Sequence, residues 1–214
     1  MANTFRSQRL VYRAVEENDD DKAFLHSLVT DSENFANFDP QLLKPFSKKD
    51  SEKYFANFPE KLLAVLICLP ITPSKTLEEE PSSEGTKVLR PIGFIGLQKI
   101  ESYNLHHRHS NLFLFIGKTE QRKGYGGEAI EWILKWAFEM RGLHRVSIGY
   151  MAWNLDAGRL YERLGFVVEG RERECFFFEG GWWDKVVLGM LEGEWRAREA
   201  GKREKKKVGG EGGV

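Results

Sequence analysis

Apolar and polar positions change period several times along the chain, and each change marks an element. Leu10-Val11-Tyr12-Arg13-Ala14-Val15 alternates and reads as a first strand. Asn18-Asp19-Asp20-Asp21 then offers capping oxygens for a helix over residues 22–30, with Ala23, Phe24 and Leu28 on one face. Residues 34–46 are aromatic-rich and loop-like, and 48–58 predict a second helix that Pro59 stops. Leu62 to Leu69 is a continuous apolar strand bounded by Pro70; Ile92 to Ile100 and Leu112 to Ile116 predict two more. From 128 to 140 the period becomes helical, with Ile130, Ile133, Leu134 and Ala137 on one face and Gly142 at the end. Trp132 and Trp136 form a packing pair on an adjacent face. A strand at 146–152 precedes a helix at 156–164 that carries Ala157, Leu160, Tyr161 and Leu164 on one side. Two final strands, about 166–178 and 185–191, flank the turn at Glu179-Gly180-Gly181.

Two stretches break this pattern. Residues 70–90 hold Pro73, Glu78-Glu79-Glu80, Pro81-Ser82-Ser83 and Gly85, too little apolar surface to pack, and read as a mobile internal loop. Residues 197–214 are charged and then glycine-rich, and read as a disordered basic tail. The remainder, residues 6–196, fits one domain with an ample core. The 32 basic and 32 acidic side chains cancel, so no overall field draws nucleic acid or a membrane surface. No run approaches the roughly 18 apolar residues of a membrane span, and the N-terminus lacks the apolar core of a signal peptide. Cys68 and Cys175 lie in apolar or aromatic runs and read as reduced, buried thiols. A cytoplasmic location is the expectation, with a nuclear one as the alternative for the run Lys202-Arg203-Glu204-Lys205-Lys206-Lys207.

The chemistry concentrates in two blocks. Gln121-Arg122-Lys123-Gly124-Tyr125-Gly126 stands between a strand and a helix, followed by Gly127. A helix start supplies unpaired N–H groups and the positive end of the macrodipole, and glycines admit a close anion. The loop lacks the Lys-[Ser/Thr] of a nucleotide-triphosphatase loop. It satisfies a loose G-x-G-x-x-[G/A], but the next strand ends in Asn154 and carries no acid for a ribose, which excludes a dinucleotide fold. The second block, Asn154-x-x-Ala157-x-x-Leu160-Tyr161-Glu162-x-x-Gly165-Phe166, places a phenol on a short helix.

Together the blocks resemble the GNAT superfamily of N-acetyltransferases. The first is similar to its acyl-CoA pyrophosphate loop, [Q/R]-x-x-G-x-[G/A], and the second to the helix and strand that follow. Glu169-Gly170, Phe178-Glu179-Gly180, Trp183-Asp184 and Leu188 resemble the end of its ribosomal-protein-type and spermidine-type branch. The resemblance implies an α/β fold with a mixed, mostly antiparallel six- or seven-stranded sheet and helices on both faces. It implies transfer of an acetyl group from acetyl-CoA to a primary amine by direct attack. The pyrophosphate would meet Arg122, Lys123, Gly124, Tyr125, Gly126 and Gly127, and the acyl arm Phe115 and Ile116. Tyr161 would be the general acid at the leaving sulfur. Asn154 would hold the pantetheine arm or cap its helix. Arg122 and Lys123 reach phosphate on one reading and are solvated charges on the other. Gly158 admits a close ligand approach or has no role.

The general base stays open among Glu101, on the strand before the loop, His106, His107 and His109 in that loop, and water. The His-His-Arg-His run lacks metal-ligand spacing, so no metal is expected. Phe35, Phe38, Phe46, Tyr54, Phe55 and Phe58 fall where the resemblance puts the acceptor pocket, and Asp31, Glu33 and Asp39 suit a cation. The expected partner is a small-molecule amine, a polyamine being favoured, or a peptide amine, with a homodimer compatible. A protein N-terminal acetyltransferase and a non-catalytic acyl-CoA sensor are the alternatives; Tyr161 favours the enzyme.

Overall fold

In the computed structural model, which describes residues 4–71 and 88–210, the apolar runs become strands. These are β1 (Val11–Arg13), β2 (Leu63–Ile71), β3 (Val88–Leu97), β4 (His109–Ile116), β5 (Arg145–Met151), β6 (Val167–Phe178) and β7 (Gly181–Leu191). Among the described residues they form a seven-stranded mixed sheet in the order β1-β2-β3-β4-β5-β7-β6, flanked by helices, the α/β class expected. β4 and β5 pair in parallel, whereas β1–β2, β2–β3, β5–β7 and β6–β7 are antiparallel. The chain divides into two compact units, Met1–Leu97 with Phe113–Ile133, and Gln98–Leu112 with Leu134–Val214.

In the first unit Asn18 caps α1 (Asp19–Thr30), its side chain accepting from the Asp21 N–H at 2.8 Å. Asp21 turns inward and takes both Arg13 nitrogens at 2.6 and 2.5 Å, a forked pair that ties β1 to α1. Burial pushes the Asp21 carboxyl upward, but Arg13 and the Glu16 N–H outweigh it and its pKa lies below the ordinary value. Asp31 caps α2 (Ser32–Ala36), and a reciprocal Ser47–Asp50 capping box starts α3 (Lys48–Phe55). The aromatic set packs as core: Phe94 stacks on Phe115 at 5.6 Å and meets Phe38, Phe55 and Phe58 edge-on at 5.2 to 5.7 Å. α4 (Tyr125–Lys135) presents Trp132, whose ring lies 3.7 Å from that of Tyr12 and nearly parallel to it.

In the second unit a π-helical turn, Trp136–Met140, continues from α4 and brings Phe138 within 5.4 Å of Trp195. Gly142 then turns the chain with φ 68°. α5 (Leu155–Arg163) leads into β6, whose register against β7 shifts twice. At the second shift Arg173, Glu174 and Cys175 stand where β7 offers only Asp184, and Glu174 takes φ 50°. Asp184 binds this bulge through the Glu174 N–H at 2.9 Å and Arg171 at 2.8 Å.

Several boundaries differ from expectation. The chain from Glu192 to Gly210 is helical (α6), so the tail expected to be disordered from 197 continues a helix. Its Glu, Arg, Ala and Lys are helix formers, and Glu192–Arg196 and Glu199–Lys202 pair along it. Of the loop expected at 70–90, Pro70 and Ile71 belong to β2 and Val88–Arg90 to β3, while residues 72–87 lie outside the described residues. Pro91 stands opposite Cys68 at the β2–β3 register shift, a position that tolerates a missing N–H. Cys68 is fully buried and free, and burial pushes its thiol up to about 11. Cys175 is free but exposed, a correction that follows from its place in the β6 bulge.

Candidate active site

The glycine-rich loop is built entirely within the first unit. β4 ends at Ile116, a 3₁₀ turn spans Lys118–Glu120, and α4 opens at Tyr125. Two residues make the reversal with left-handed backbone, Arg122 at φ 60° and Gly124 at φ 83°. The Glu128 N–H closes the first helical turn onto the Gly124 carbonyl at 3.2 Å. The N–H groups of Tyr125, Gly126 and Gly127 precede that bond, at the positive end of the helix. This is anion-binding geometry.

Gln121 anchors the loop. Its Nε2 donates to the Ile116 carbonyl at 3.0 Å and to Asn34 Oδ1 at 2.6 Å, and Asn34 Nδ2 donates to the same carbonyl at 3.1 Å. Phe115 and Ile116 are buried at this strand end, and the Ile116 oxygen is already taken by those two amides. β4 pairs with β5 over His109–Asn111, short of Phe115 and Ile116.

The loop cations are partly engaged. Lys123 pairs with Glu120 at 3.0 Å, and Glu120 also takes Arg90 at 2.9 Å. The N-terminal segment reaches the same place, a contact that no local pattern announces. Glu128 accepts from Ser7 Oγ at 2.6 Å and from the Arg9 backbone N–H and Nε, both at 2.7 Å. Burial would raise the Glu128 pKa, yet these donors hold it below the ordinary carboxylate value. Trp132 Nε1 donates to the Thr4 carbonyl at 2.8 Å, fastening the segment further along α4.

In the second unit Asn154 caps α5, its Oδ1 accepting from the Ala157 N–H at 3.2 Å. Tyr161 lies two turns on, 8% exposed, and desolvation raises its phenol well above the usual value of 10.0. The hydroxyl therefore stays protonated, a donor rather than an anion. The bare face at Gly158 belongs to Tyr150: an added Cβ would fall 2.6 Å from its Cζ and 2.7 Å from its hydroxyl. Side-chain packing accounts for this glycine.

The base candidates separate. Glu101 is not on a strand, since β3 ends at Leu97; it precedes the 3₁₀ helix Ser102–His107, where His106 and His107 are exposed. His109 is the first residue of β4 rather than a loop residue. Its Nε2 lies 2.9 Å from Ser147 Oγ, which also accepts from Arg145 Nε at 3.2 Å. Ser147 Oγ thus joins the His109 ring to the Arg145 guanidinium. Burial, then Arg145, holds the His109 pKa below 6.5, against an opposing pull from Glu169. Arg145 is itself forked onto Glu169, over the bare Cα of Gly189.

The three acids expected to draw a cation all carry contacts. Asp31 caps α2, Glu33 pairs with Lys118, and Asp39 accepts from Tyr54 Oη at 2.5 Å and the Gln41 N–H at 3.1 Å. Asp31, Lys118 and Glu120 lie along a cleft of about 410 Å³ with Phe24, Arg90 and Ile92. Among the described residues, no group of His, Cys, Asp and Glu is arranged to hold a metal ion. No described helix is long and apolar enough to cross a membrane.

Comparison with known proteins places this architecture. The Vibrio cholerae spermidine N-acetyltransferase, solved in complex with CoA and spermine, shares the fold with a TM-score of 0.67 at 23% identity, over 88% of this chain and 99% of that one. A GNAT-family acetyltransferase from Bacillus anthracis superposes with a TM-score of 0.66 at 21% identity, over 88% and 98% of the two chains. In sequence, the spermidine N(1)-acetyltransferase of Vibrio cholerae is 31% identical over 104 residues, 49% of this chain and 60% of its own length. The ribosomal protein uS5 alanine N-acetyltransferase of Escherichia coli is 31% identical over 80 residues, 37% of this chain and 41% of its own. Those alignments span less than two thirds of the relatives they match. The model of the acetyltransferase (GNAT) domain family matches residues 9–167, most of the chain. This chain belongs to the GNAT acetyltransferase family.

Proposed function

We propose that the protein transfers the acetyl group of acetyl-CoA to a primary amine by direct attack. The observation that carries this reading is the loop Gln121–Gly127: left-handed Arg122 and Gly124 open α4, and Gln121 pins the loop to the end of β4. The pyrophosphate accepts from the N–H groups of Arg122 to Gly127, and the acyl arm follows Phe115 and Ile116. The amine nitrogen attacks the thioester carbonyl carbon, the C–S bond breaks, the nitrogen sheds a proton to water and the sulfur gains one. Tyr161, buried and protonated, supplies the hydrogen bond or proton at sulfur. Asn154 sets the start of the helix that carries it. His109 is not needed as a base in this step, since its Nε2 is engaged with Ser147.

A polyamine is the favoured acceptor. Likeness to a spermidine N(1)-acetyltransferase supports it, as do the carboxylates Asp31, at the start of α2, and Asp39, beside Tyr54, whereas Glu33 pairs with Lys118. Likeness to a ribosomal-protein alanine N-acetyltransferase supports the other acceptor class, a protein α-amine. The test is release of free thiol from acetyl-CoA across spermidine, simple amines and peptides with a free α-amine. Turnover of spermidine with a KM that rises with salt is expected, because exposed charges are screened within about 8–10 Å. Turnover of peptides alone transfers the assignment to N-terminal acetylation. CoA binding without turnover of any amine makes the protein a sensor.

A further inference from the structure

Arg9 is clamped against the glycine-rich loop and left with one nitrogen over. Its Nε donates to Glu128 at 2.7 Å and its Nη1 to the Lys123 carbonyl at 2.9 Å, while the guanidinium stands 4.6 Å from the Tyr125 ring centre. Nη2 has no acceptor among the described residues. It lies beside the left-handed Gly124, where an added Cβ would come within 3.2 Å of it. The clamp is reinforced from both sides, by Ser7 on Glu128 and by Thr4 on Trp132.

We propose that Arg9 is a ligand of the CoA pyrophosphate, and that it also cancels the field of Glu128 at that site. The inference rests on reading residues 122–127 as the pyrophosphate loop. Three considerations single out Arg9. A guanidinium has planar, divergent donors that match phosphate oxygens, and Nη2 is the one still open. Its remaining contacts hold the side chain in place, so little rotamer freedom is lost when an anion arrives. Lys123, the nearer cation in sequence, is drawn off by Glu120 at 3.0 Å. The second role follows from position. Glu128 in the first turn of α4 favours the free helix but repels a bound pyrophosphate. Paired with Arg9, it presents the anion with a near-neutral unit and a free donor.

The experiment is calorimetric titration of the full chain with CoA and with 3′-dephospho-CoA, in Arg9→Ala, Glu128→Gln and the double variant, with thermal unfolding of each. Arg9→Ala is expected to weaken both ligands by about ten- to a hundred-fold, the range of a charge-assisted hydrogen bond. Equal loss for both places the contact at the pyrophosphate. Glu128→Gln removes the negative charge but keeps an amide oxygen to accept from Arg9, so it is expected to bind CoA at least as tightly as wild type. The double variant is expected to recover part of the affinity lost in Arg9→Ala. CoA affinity in Arg9→Ala within about two-fold of wild type overturns the proposal. So does a loss in Glu128→Gln as large as that in Arg9→Ala, which would make the clamp purely a fastening. A wild-type chain that binds no CoA overturns the pyrophosphate-loop reading itself, a result distinct from either. If Arg9→Ala does not fold, Arg9→Lys keeps the charge and loses the fork; affinity equal to wild type would then overturn the role of Nη2.

Discussion

Gln121 donates to Asn34 at 2.6 Å across 87 residues of sequence, and both amides converge on the carbonyl of Ile116. α2 thereby sets where β4 ends and where the glycine-rich loop begins. Asn34 is 6% exposed, so its partners have little water to turn to. Asn34→Ala is expected to cost about 1–3 kcal/mol, the penalty of leaving buried polar groups short of partners. It should also weaken CoA binding, because the loop loses its reference point. Denaturant unfolding and a CoA titration check both effects; stability and affinity matching wild type would show that Gln121 alone suffices.

Gly158 faces the ring of Tyr150, with no room for a methyl group. Helix propensity favours Gly158→Ala by about 1 kcal/mol, but overlap with Tyr150 is expected to reverse the sign and give a net loss of about 1–3 kcal/mol. In a Tyr150→Ala background the same substitution should stabilise. A double-mutant cycle by chemical denaturation measures the coupling. Additive effects would mean that the ring simply swings aside.

Tyr161→Phe keeps the buried ring and removes the hydroxyl. Turnover is expected to fall by roughly 10²–10⁴-fold, the span of a general acid, with acetyl-CoA affinity nearly intact. Full activity in steady-state assays would assign protonation of the sulfur to solvent or to another group.

His109 predicts a pH response of definite sign. Its pKa in the folded chain lies below 6.5, so the unfolded chain binds the proton more readily in the window beneath that value. Stability is complete above about 6.5 and declines as pH falls toward the folded pKa. The lowered carboxylates of Asp21, Glu128 and Glu169 add their losses at more acid pH. Thermal unfolding of wild type and His109→Gln between about pH 7.5 and 5 separates the two, since only wild type should lose stability there. Parallel curves would show that Ser147 and Arg145 accommodate the imidazolium.

What was legible in the sequence was local. The period of Ile130, Ile133 and Leu134 marks α4, Asn18 and Asn154 announce their caps, and the spacing of Gly124 and Gly126 marks the loop. Contacts between distant segments left no such trace. Nothing near Arg9 points to Glu128, 119 residues on, and nothing in the aromatic stretch after Ser32 marks Asn34 as the amide that meets Gln121. Proline misled at Pro70, because a strand tolerates it near its end, opposite Leu89. Composition misled at the C-terminus, where charge that reads as solvated tail also pairs along α6. The role of Gly158 was undecidable from its neighbours, because Tyr150 reaches it from another element.

The bulge at Arg173–Cys175 bears on how this molecule meets others. β6 ends the strand order, so its outer backbone groups are a template on which a stray strand could grow. Three residues stand there against Asp184 alone, and Glu174 with its φ of 50° takes the backbone out of pleat. An incoming strand could match Val167–Glu172 or Phe176–Phe178, but no straight strand matches both. Irregularity at this margin thus limits an added strand to one short stretch on either side of the bulge.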